Sequence, residues 1–125
     1  MRIDYATPIF REYPMLKMDI HWSIPNPFDY DTLEWNVDHI EKPSQAFLAE
    51  KSVEFYYEQE VNEYKGQRGG LYPRLEDQLD QIYHEGIDAW KTTIQEIKDK
   101  YPKTLLDPEE LSRRKQEALD FISGN

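Results

Sequence analysis

The sequence predicts a mainly α protein of the α+β class, with an N-terminal extended arm and β-hairpin, one long helix and a C-terminal bundle of three short helices. Five of the eight prolines lie within the first 43 residues, where apolar and polar residues also alternate. From residue 44 onward, apolar residues recur at spacings of three and four, the period of a helix face. The chain has 125 residues, the size of one domain. We divide it into segments 1–43, 44–66 and 71–125.

The N-terminal segment is predicted to form an extended arm followed by a hairpin. Thr7 and Tyr13 precede prolines, which disfavours helical backbone at both, so Met1–Pro14 is predicted to be extended. Apolar residues alternate with polar ones over residues 16–24, which predicts a strand, and over residues 33–38, which predicts a second strand returning beside it. Two strands alone are marginal in water, so their apolar face should lie on the helical half or join a sheet from another subunit.

One long helix is predicted from Ser44 to Lys65. Its apolar residues recur at spacings of three and four, and Gly66 follows as a stop signal. The β-branched and aromatic run at residues 53–57 would also suit a strand and is the weak point of this prediction. Residues 67–70, which include two adjacent glycines, predict a flexible joint.

Three shorter helices are predicted in the C-terminal segment. The first runs from about Pro73 to Glu85 and is capped by Gly86. The second runs from about Ile87 to Lys100, and a proline stops it. The third begins at Asp107, whose carboxylate can cap it, and ends at Gly124.

The charge balance limits the partners of this chain. It has 25 acidic and 15 basic side chains, so its net charge is −10, which argues against binding to nucleic acid or to an anionic membrane. Without cysteine the chain can form no disulfide and offers no thiolate ligand or nucleophile. Its apolar runs are far shorter than the roughly 18 residues that span a bilayer. Its first residues do not read as a secretory signal.

No enzymatic site is recognisable from residue spacing. The glycines lack the pattern of a phosphate-binding loop, and the serines lack the context of a nucleophile elbow. Asp80 and His84 lie one helical turn apart, but two ligands are too few for a metal site. The basic run Arg113–Lys115 is interpreted as a solvated or salt-bridged helix face. We therefore predict a non-enzymatic protein without metal or cofactor.

Aromatic residues, which make up 14% of the chain, supply the candidate binding surface. Aromatic side chains are enriched at protein interfaces, and the N-terminal segment has too few elements to cover its own apolar faces. The predicted partner-binding residues are Leu16, Met18, Ile20, Trp22, Trp35, Tyr56, Tyr57 and Tyr64. The alternative is that these large side chains simply fill a small core.

Two Tyr-Pro pairs bracket a helical stretch at Tyr72–Lys103. Between them, Asp77–Asp80 reads Asp-Gln-Leu-Asp, His84 follows one turn later, and Trp90 centres the next helix. In their order and spacing these residues resemble the phage tail assembly chaperone family of tailed bacteriophages. The resemblance covers about a quarter of the chain. Glu76 is a departure, because members of the family commonly have glycine there.

The resemblance implies a phage tail or tail-fibre context and supplies no enzymatic residues. Within the module, we expect one apolar face of each helix to meet the other. Asp77, Gln78 and Asp80 are expected to lie on the outer face or to cap neighbouring backbone. The expected contacts place Leu75, Leu79 and Ile82 on Trp90, Ile94 and Ile97.

The leading hypothesis is a structural component of a tailed bacteriophage particle, in the tail, the neck or the tail-fibre attachment. It would reside in the virion in multiple copies and contact other tail, neck or fibre subunits, without nucleic acid or membrane. The alternative is a transient tail-fibre assembly chaperone that acts in the host cytoplasm and is missing from finished particles. A third hypothesis, of a different class, is a small hydrolase or an inhibitor whose acidic surface mimics nucleic acid.

Overall fold

A computed structural model describes residues 1–124 and confirms the predicted class, mainly α with a two-stranded antiparallel sheet. In chain order the elements are α1 (Ala6–Glu12), β1 (Trp22–Ser23), a 3₁₀ turn (Tyr30–Thr32), β2 (Glu34–Trp35), α2 (Gln45–Val61), α3 (Glu63–Gly69), α4 (Leu75–Glu85), α5 (Ile87–Lys100) and α6 (Pro108–Ile122). The chain forms two compact units. The first contains Met1–Glu58 and residues 107–124, and the second contains Gln59–Leu106.

The predicted extended arm contains a helix, α1, so that part of the prediction was wrong. The Asp4 carboxylate lies at its start, where Oδ1 accepts hydrogen bonds from the backbone N–H of Ala6 at 2.9 Å and of Thr7 at 3.2 Å. Pro8 falls in the first turn, where a missing N–H costs no helical hydrogen bond. The proline is therefore compatible with a helix at this position.

The hairpin is confirmed, but its strands are shorter than the alternation predicts. Trp22 pairs with Trp35 in an antiparallel register. Before β1 the chain turns at Asp19, whose φ of 69° lies in the left-handed region. The Asp19 N–H donates to the Trp22 carbonyl at 2.7 Å, which closes the turn. A tight turn thus occupies residues 19–21, where the alternation predicted extended strand.

The long helix breaks earlier than predicted. α2 begins after Ser44, whose hydroxyl oxygen accepts a hydrogen bond from the Phe47 N–H at 3.1 Å. Asn62, with φ −89° and ψ 0°, separates α2 from α3. α3 then continues through Gly66, the residue predicted to end the helix, and through most of the predicted flexible joint.

Arg68 joins α3 to the end of α5. Its Nε donates to the Tyr101 carbonyl at 2.8 Å, and its Nη2 donates to the Lys98 carbonyl at 3.4 Å. Carbonyls at a helix C-terminus lack helical partners and carry partial negative charge, so a guanidinium both satisfies and stabilises them. The guanidinium also lies over the ring of Tyr64, 4.8 Å from its centroid. This tertiary contact accounts for an ordered helix where glycine predicts a joint.

The first unit has one contiguous apolar core. Its buried members come from the N-terminal segment, α2 and α6: Ile3, Tyr5, Ile9, Leu16, Trp22, Ile24, Leu33, Leu48, Ala49 and Ala118. The apolar side chains of the hairpin are therefore covered by helices of the same chain. This is the first of the two predicted arrangements, in which the apolar face of the hairpin lies on the helical half of the same chain.

All three predicted C-terminal helices are present; α4 and α5 belong to the second unit, and α6 belongs to the first. Ala118 of α6 is fully buried in the core of that unit. The Asp107 carboxylate caps the helix, as predicted, and the Asp107 N–H donates to the Tyr57 hydroxyl at 3.2 Å. Lys115 Nζ lies 2.6 Å from Glu54 Oε1 of α2. The predicted helical module 71–125 is therefore divided between the two units.

In the second unit, α4 packs against α5 as a helical hairpin across Gly86. Gly86 has a φ of 92°, a left-handed value that favours glycine, and its N–H bonds back to α4. The predicted bounds of both helices are close to those observed. The expected packing of Leu75 and Leu79 on α5 is wrong, because both side chains are largely exposed.

Candidate interaction surfaces

Half of the predicted partner-binding residues lie in the interior. Leu16, Trp22, Tyr57 and Tyr64 are buried, Trp22 to 1% exposure. Each of these residues is 9% exposed or less, so contact with another subunit would need the fold to open locally, and partner binding by these four residues stays a prediction. For Leu16 and Trp22, the alternative of a small core filled by large side chains describes the structure.

Two further predicted residues, Trp35 and Tyr56, keep part of their surface exposed. Trp35 is half-buried, and its Nε1 donates to the Ile40 carbonyl at 2.8 Å. Tyr56 is exposed, and its hydroxyl donates to the Asp4 carboxylate at 2.6 Å. The polar end of each side chain is thus bound within the first unit, and the Trp35 ring also meets that of Tyr13 edge to face, with centroids 5.4 Å apart.

The Asp4 carboxylate accepts hydrogen bonds from two side chains and two backbone amides. Burial raises the pKa of Asp4, but hydrogen bonds from Thr7 and Tyr56 and from the amides of Thr7 and Ala6 outweigh it, so the pKa lies below its usual value. The same hydrogen bond to Asp4, together with burial, raises the pKa of Tyr56. The pair therefore favours a charged carboxylate beside a neutral phenol.

An exposed apolar patch lies on the first unit beside Trp22. We define this amino-terminal patch as Phe10, Met15, Met18 and Ile20, all of them exposed. The rings of Phe10 and Trp22 meet edge to face with centroids 4.9 Å apart, and the backbone of Met18 pairs with that of Trp22. Phe10 and Met15 were not predicted. Phe10 lies in α1, where an extended arm was expected, so no periodicity singled it out.

A second exposed apolar surface lies on the α4–α5 hairpin. We define this α4 face as Leu75, Leu79, Tyr83 and Ile87, which are 70%, 58%, 85% and 53% exposed. The first three recur every four residues and so share one side of α4. Every residue of α4 and α5 is described, and none of them is buried. The sequence contained the signal for this stripe, but its periodicity was interpreted as core.

Polar side chains occupy the contact between α4 and α5. Gln78 Nε2 donates to the Pro73 carbonyl at 2.7 Å, and Gln78 Oε1 accepts from Trp90 Nε1 at 3.0 Å. Gln81 Nε2 donates to the Thr93 hydroxyl at 2.8 Å. Three residues that carry the family resemblance, Pro73, Gln78 and Trp90, are therefore linked by hydrogen bonds that hold the hairpin together.

Apart from one histidine, the charged side chains of α4 are all acidic. The helix contains no lysine or arginine, and its carboxylates belong to Glu76, Asp77, Asp80 and Glu85. Arg74, just before the helix, places Nη2 3.1 Å from Glu76 Oε2, but both side chains are highly exposed and the pair contributes little. The α4 face is consequently flanked by negative charge.

The basic run of α6 is salt-bridged, in agreement with its interpretation from the sequence. Arg113 Nη2 and Arg114 Nε both contact Glu110 Oε1, at 2.6 and 2.9 Å. These hydrogen bonds lower the pKa of Glu110 to about 2. Within residues 1–124, no group of three or more metal-ligating side chains is placed to hold a metal ion.

No protein-family model, curated protein or solved structure matches the chain. In the part of the chain that the structure describes, no helix combines the length and the apolar character needed to cross a bilayer. The resemblance of Tyr72–Lys103 to the phage tail assembly chaperone family therefore stays a prediction based on its motif residues.

Proposed function

We propose that this chain is a non-enzymatic structural component of a tailed bacteriophage particle, in the tail, the neck or the tail-fibre attachment. It acts through contacts with other tail, neck or fibre subunits and is present in several copies per particle. One observation carries the proposal: the segment that resembles the phage tail assembly chaperone family folds as a hairpin that leaves four large apolar side chains exposed, those of the α4 face.

The hydrogen bonds of the hairpin support this proposal by giving the motif a structural role. Gln78, in the centre of Asp-Gln-Leu-Asp, bonds to Pro73 of the first Tyr-Pro pair and to Trp90 of the next helix. The amide of Gln78 thus faces α5, whereas Asp77 and Asp80 of the same motif are exposed. Leu79, the apolar residue of the same motif, is exposed. A module built this way leaves the apolar side chains of the α4 face accessible to other molecules.

Energetics point in the same direction. Burying a leucine-sized side chain contributes about 2 kcal/mol, and the α4 face leaves four large apolar side chains in water. An isolated helix of 11 residues, the length of α4, is marginal by itself. Binding to another subunit would therefore stabilise the hairpin as well as the complex.

The amino-terminal patch gives the first unit an exposed apolar surface of its own. Phe10 and Met18 lie at the rim of a folded core, so they can bind a partner without unfolding the unit. A chain with one such surface on each unit can contact two different subunits, as a connecting component of a tail requires. Large exposed apolar patches commonly mark binding sites.

The test is an inventory of purified particles. Phage particles are induced from the strain that carries the gene, purified by density gradient and quantified by mass spectrometry against the other tail proteins. We expect the chain in a fixed ratio to a tail, neck or fibre protein. Its absence from purified particles would overturn the proposal, and absence combined with co-purification of immature fibre chains would assign a transient assembly chaperone instead.

Two variants of the chain test whether its incorporation into particles depends on the α4 face. Leu79→Asp places a charge in the α4 face and should lower incorporation, whereas Leu105→Asp alters a leucine outside that face that is even more exposed. Incorporation that drops equally for both variants would indicate a general folding defect and would count against the α4 face as the contact.

A further inference from the structure

We propose that the α4 face binds an amphipathic helix of a partner protein in which lysine or arginine residues flank an apolar stripe. This inference rests on the proposed function, because it specifies the kind of subunit surface that the chain contacts. It concerns the second unit alone.

The geometry of the face fits a helix. Leu75, Leu79 and Tyr83 lie on one side of α4, and the first and last are eight positions apart, or about 12 Å at a rise of about 1.5 Å per residue. Ile87, the first residue of α5, is also exposed and lies just beyond the turn at Gly86. A partner helix of about three turns can place apolar residues at i, i+4 and i+8 against this row.

The other side of α4 is already occupied. Gln78 and Gln81 bond to Trp90 and Thr93 of α5, so the hairpin contact uses a different side of the helix from the apolar row. A third helix laid along Leu75 and Tyr83 would leave that contact intact. It would turn a two-helix hairpin without buried residues into a three-helix unit with a core.

The charges select the partner. Glu76 and Asp80 each follow a residue of the apolar row, so they lie about 100° around the helix from it and border it along one edge. α4 contributes four carboxylates and no lysine or arginine. Lysine or arginine beside the apolar stripe of the partner would meet these carboxylates. Such pairs raise the association rate and exclude acidic partners.

The same charges disfavour a second copy of this chain as the occupant. Two α4 faces packed together would bring Glu76 and Asp80 of one copy near the carboxylates of the other, which is repulsive. An anionic lipid surface is disfavoured for the same reason. A basic helix therefore agrees with both the shape and the charge of the face.

The experiment uses the full chain and three synthetic helical peptides of equal length. The first carries leucine at i, i+4 and i+8 with lysine flanks, the second has glutamate flanks, and the third keeps lysine but replaces the leucines with serine. Binding is measured by fluorescence anisotropy at low and high salt. We expect the lysine–leucine peptide to bind at least tenfold more tightly than the other two, and less tightly at high salt.

Protein variants locate the site. Leu79→Ser should weaken binding of the lysine–leucine peptide about tenfold, whereas Leu105→Ser, at an exposed leucine elsewhere in the unit, should leave it unchanged. The double variant Glu76→Lys with Asp80→Lys should shift the preference to the glutamate-flanked peptide. Circular dichroism checks that each variant keeps its helix content.

Several results would overturn the inference. Equal binding by the wild-type chain and Leu79→Ser would place the peptide elsewhere, and equal binding of the lysine and glutamate peptides would refute charge selection. A wild-type dimer that Leu79→Ser converts to a monomer would assign the face to a second copy. None of these results depends on particles, so a chain found in virions but indifferent to the basic peptide would refute this inference and leave the proposed function standing.

Discussion

The Tyr56 hydroxyl donates a hydrogen bond of 2.6 Å to the Asp4 carboxylate, across 52 positions of the sequence. The contact ties α2 to the residue that caps α1. It connects a helix that the sequence did not predict to one that it did, and it uses the polar end of a tyrosine that was expected to bind a partner.

A double-mutant cycle tests this contact. Asp4→Ala removes the cap and the acceptor and should lower the free energy of unfolding by about 1–2 kcal/mol, and Tyr56→Phe should lower it by about 1 kcal/mol. Because both remove the same hydrogen bond, the double variant should lose less than the sum, as urea unfolding will measure. Asp38→Ala is the control at an exposed carboxylate. Strict additivity would show that the contact contributes nothing.

The first unit should lose stability in acid. The pKa of Asp4 is lowered, and so is that of Glu54, where burial raises it but hydrogen bonds from Lys115 and Lys51 outweigh burial. A carboxyl group with a lowered pKa in the folded state stabilises the fold above its unfolded pKa and loses this contribution as the pH falls through the folded value.

The urea midpoint should therefore be nearly constant from about pH 7 to about pH 5 and should fall between about pH 5 and about pH 2. Asp4→Ala should show a shallower fall, because one of the responsible groups is gone. A variant curve parallel to that of the wild type would exclude Asp4 as a source of the pH dependence.

Substitutions at Trp22 test whether this residue stabilises the core or binds a partner. Trp22→Ala should lower the free energy of unfolding by about 3–5 kcal/mol, because it empties a fully buried site. Trp22→Phe should cost less, since it keeps an aromatic ring and removes a buried indole N–H that has no partner among the described residues. Met18→Ser and Ile20→Ser, at exposed positions, should change it by less than about 0.5 kcal/mol. Thermal melts that rank Met18→Ser with Trp22→Ala would contradict this assignment.

Gln78 should stabilise the α4–α5 hairpin, although it is a polar residue. Gln78→Leu keeps the size of the side chain but leaves Trp90 Nε1 and the Pro73 carbonyl without their partner, at a cost of about 1–3 kcal/mol. Amide hydrogen exchange in α4 and α5 should accelerate accordingly. Gln67→Leu, at an exposed position of α3, is the control. Unchanged exchange in Gln78→Leu would remove the structural role assigned to the motif.

Local signals determined much of this architecture. Periodicity together with the cap at Asp107 and the glycine at Gly86 predicted α4, α5 and α6 with bounds close to those observed. Turn residues and alternation predicted a hairpin, which the pairing of Trp22 with Trp35 confirms. Caps, turns and periods act between residues near in sequence, so they can be recognised without knowing the fold.

Long-range contacts decided the rest. α1 forms around Asp4, which Tyr56 holds from another helix, and α3 passes through its glycine because Arg68 binds the end of α5. The sequence by itself determined which residues are apolar and with what periodicity they recur. It did not determine which of them are buried: Trp22 lies in the core, whereas Leu79 is exposed. The physical reason is that an apolar stripe indicates only which face of an element favours burial. Whether that face is buried depends on which element, distant in sequence, packs against it.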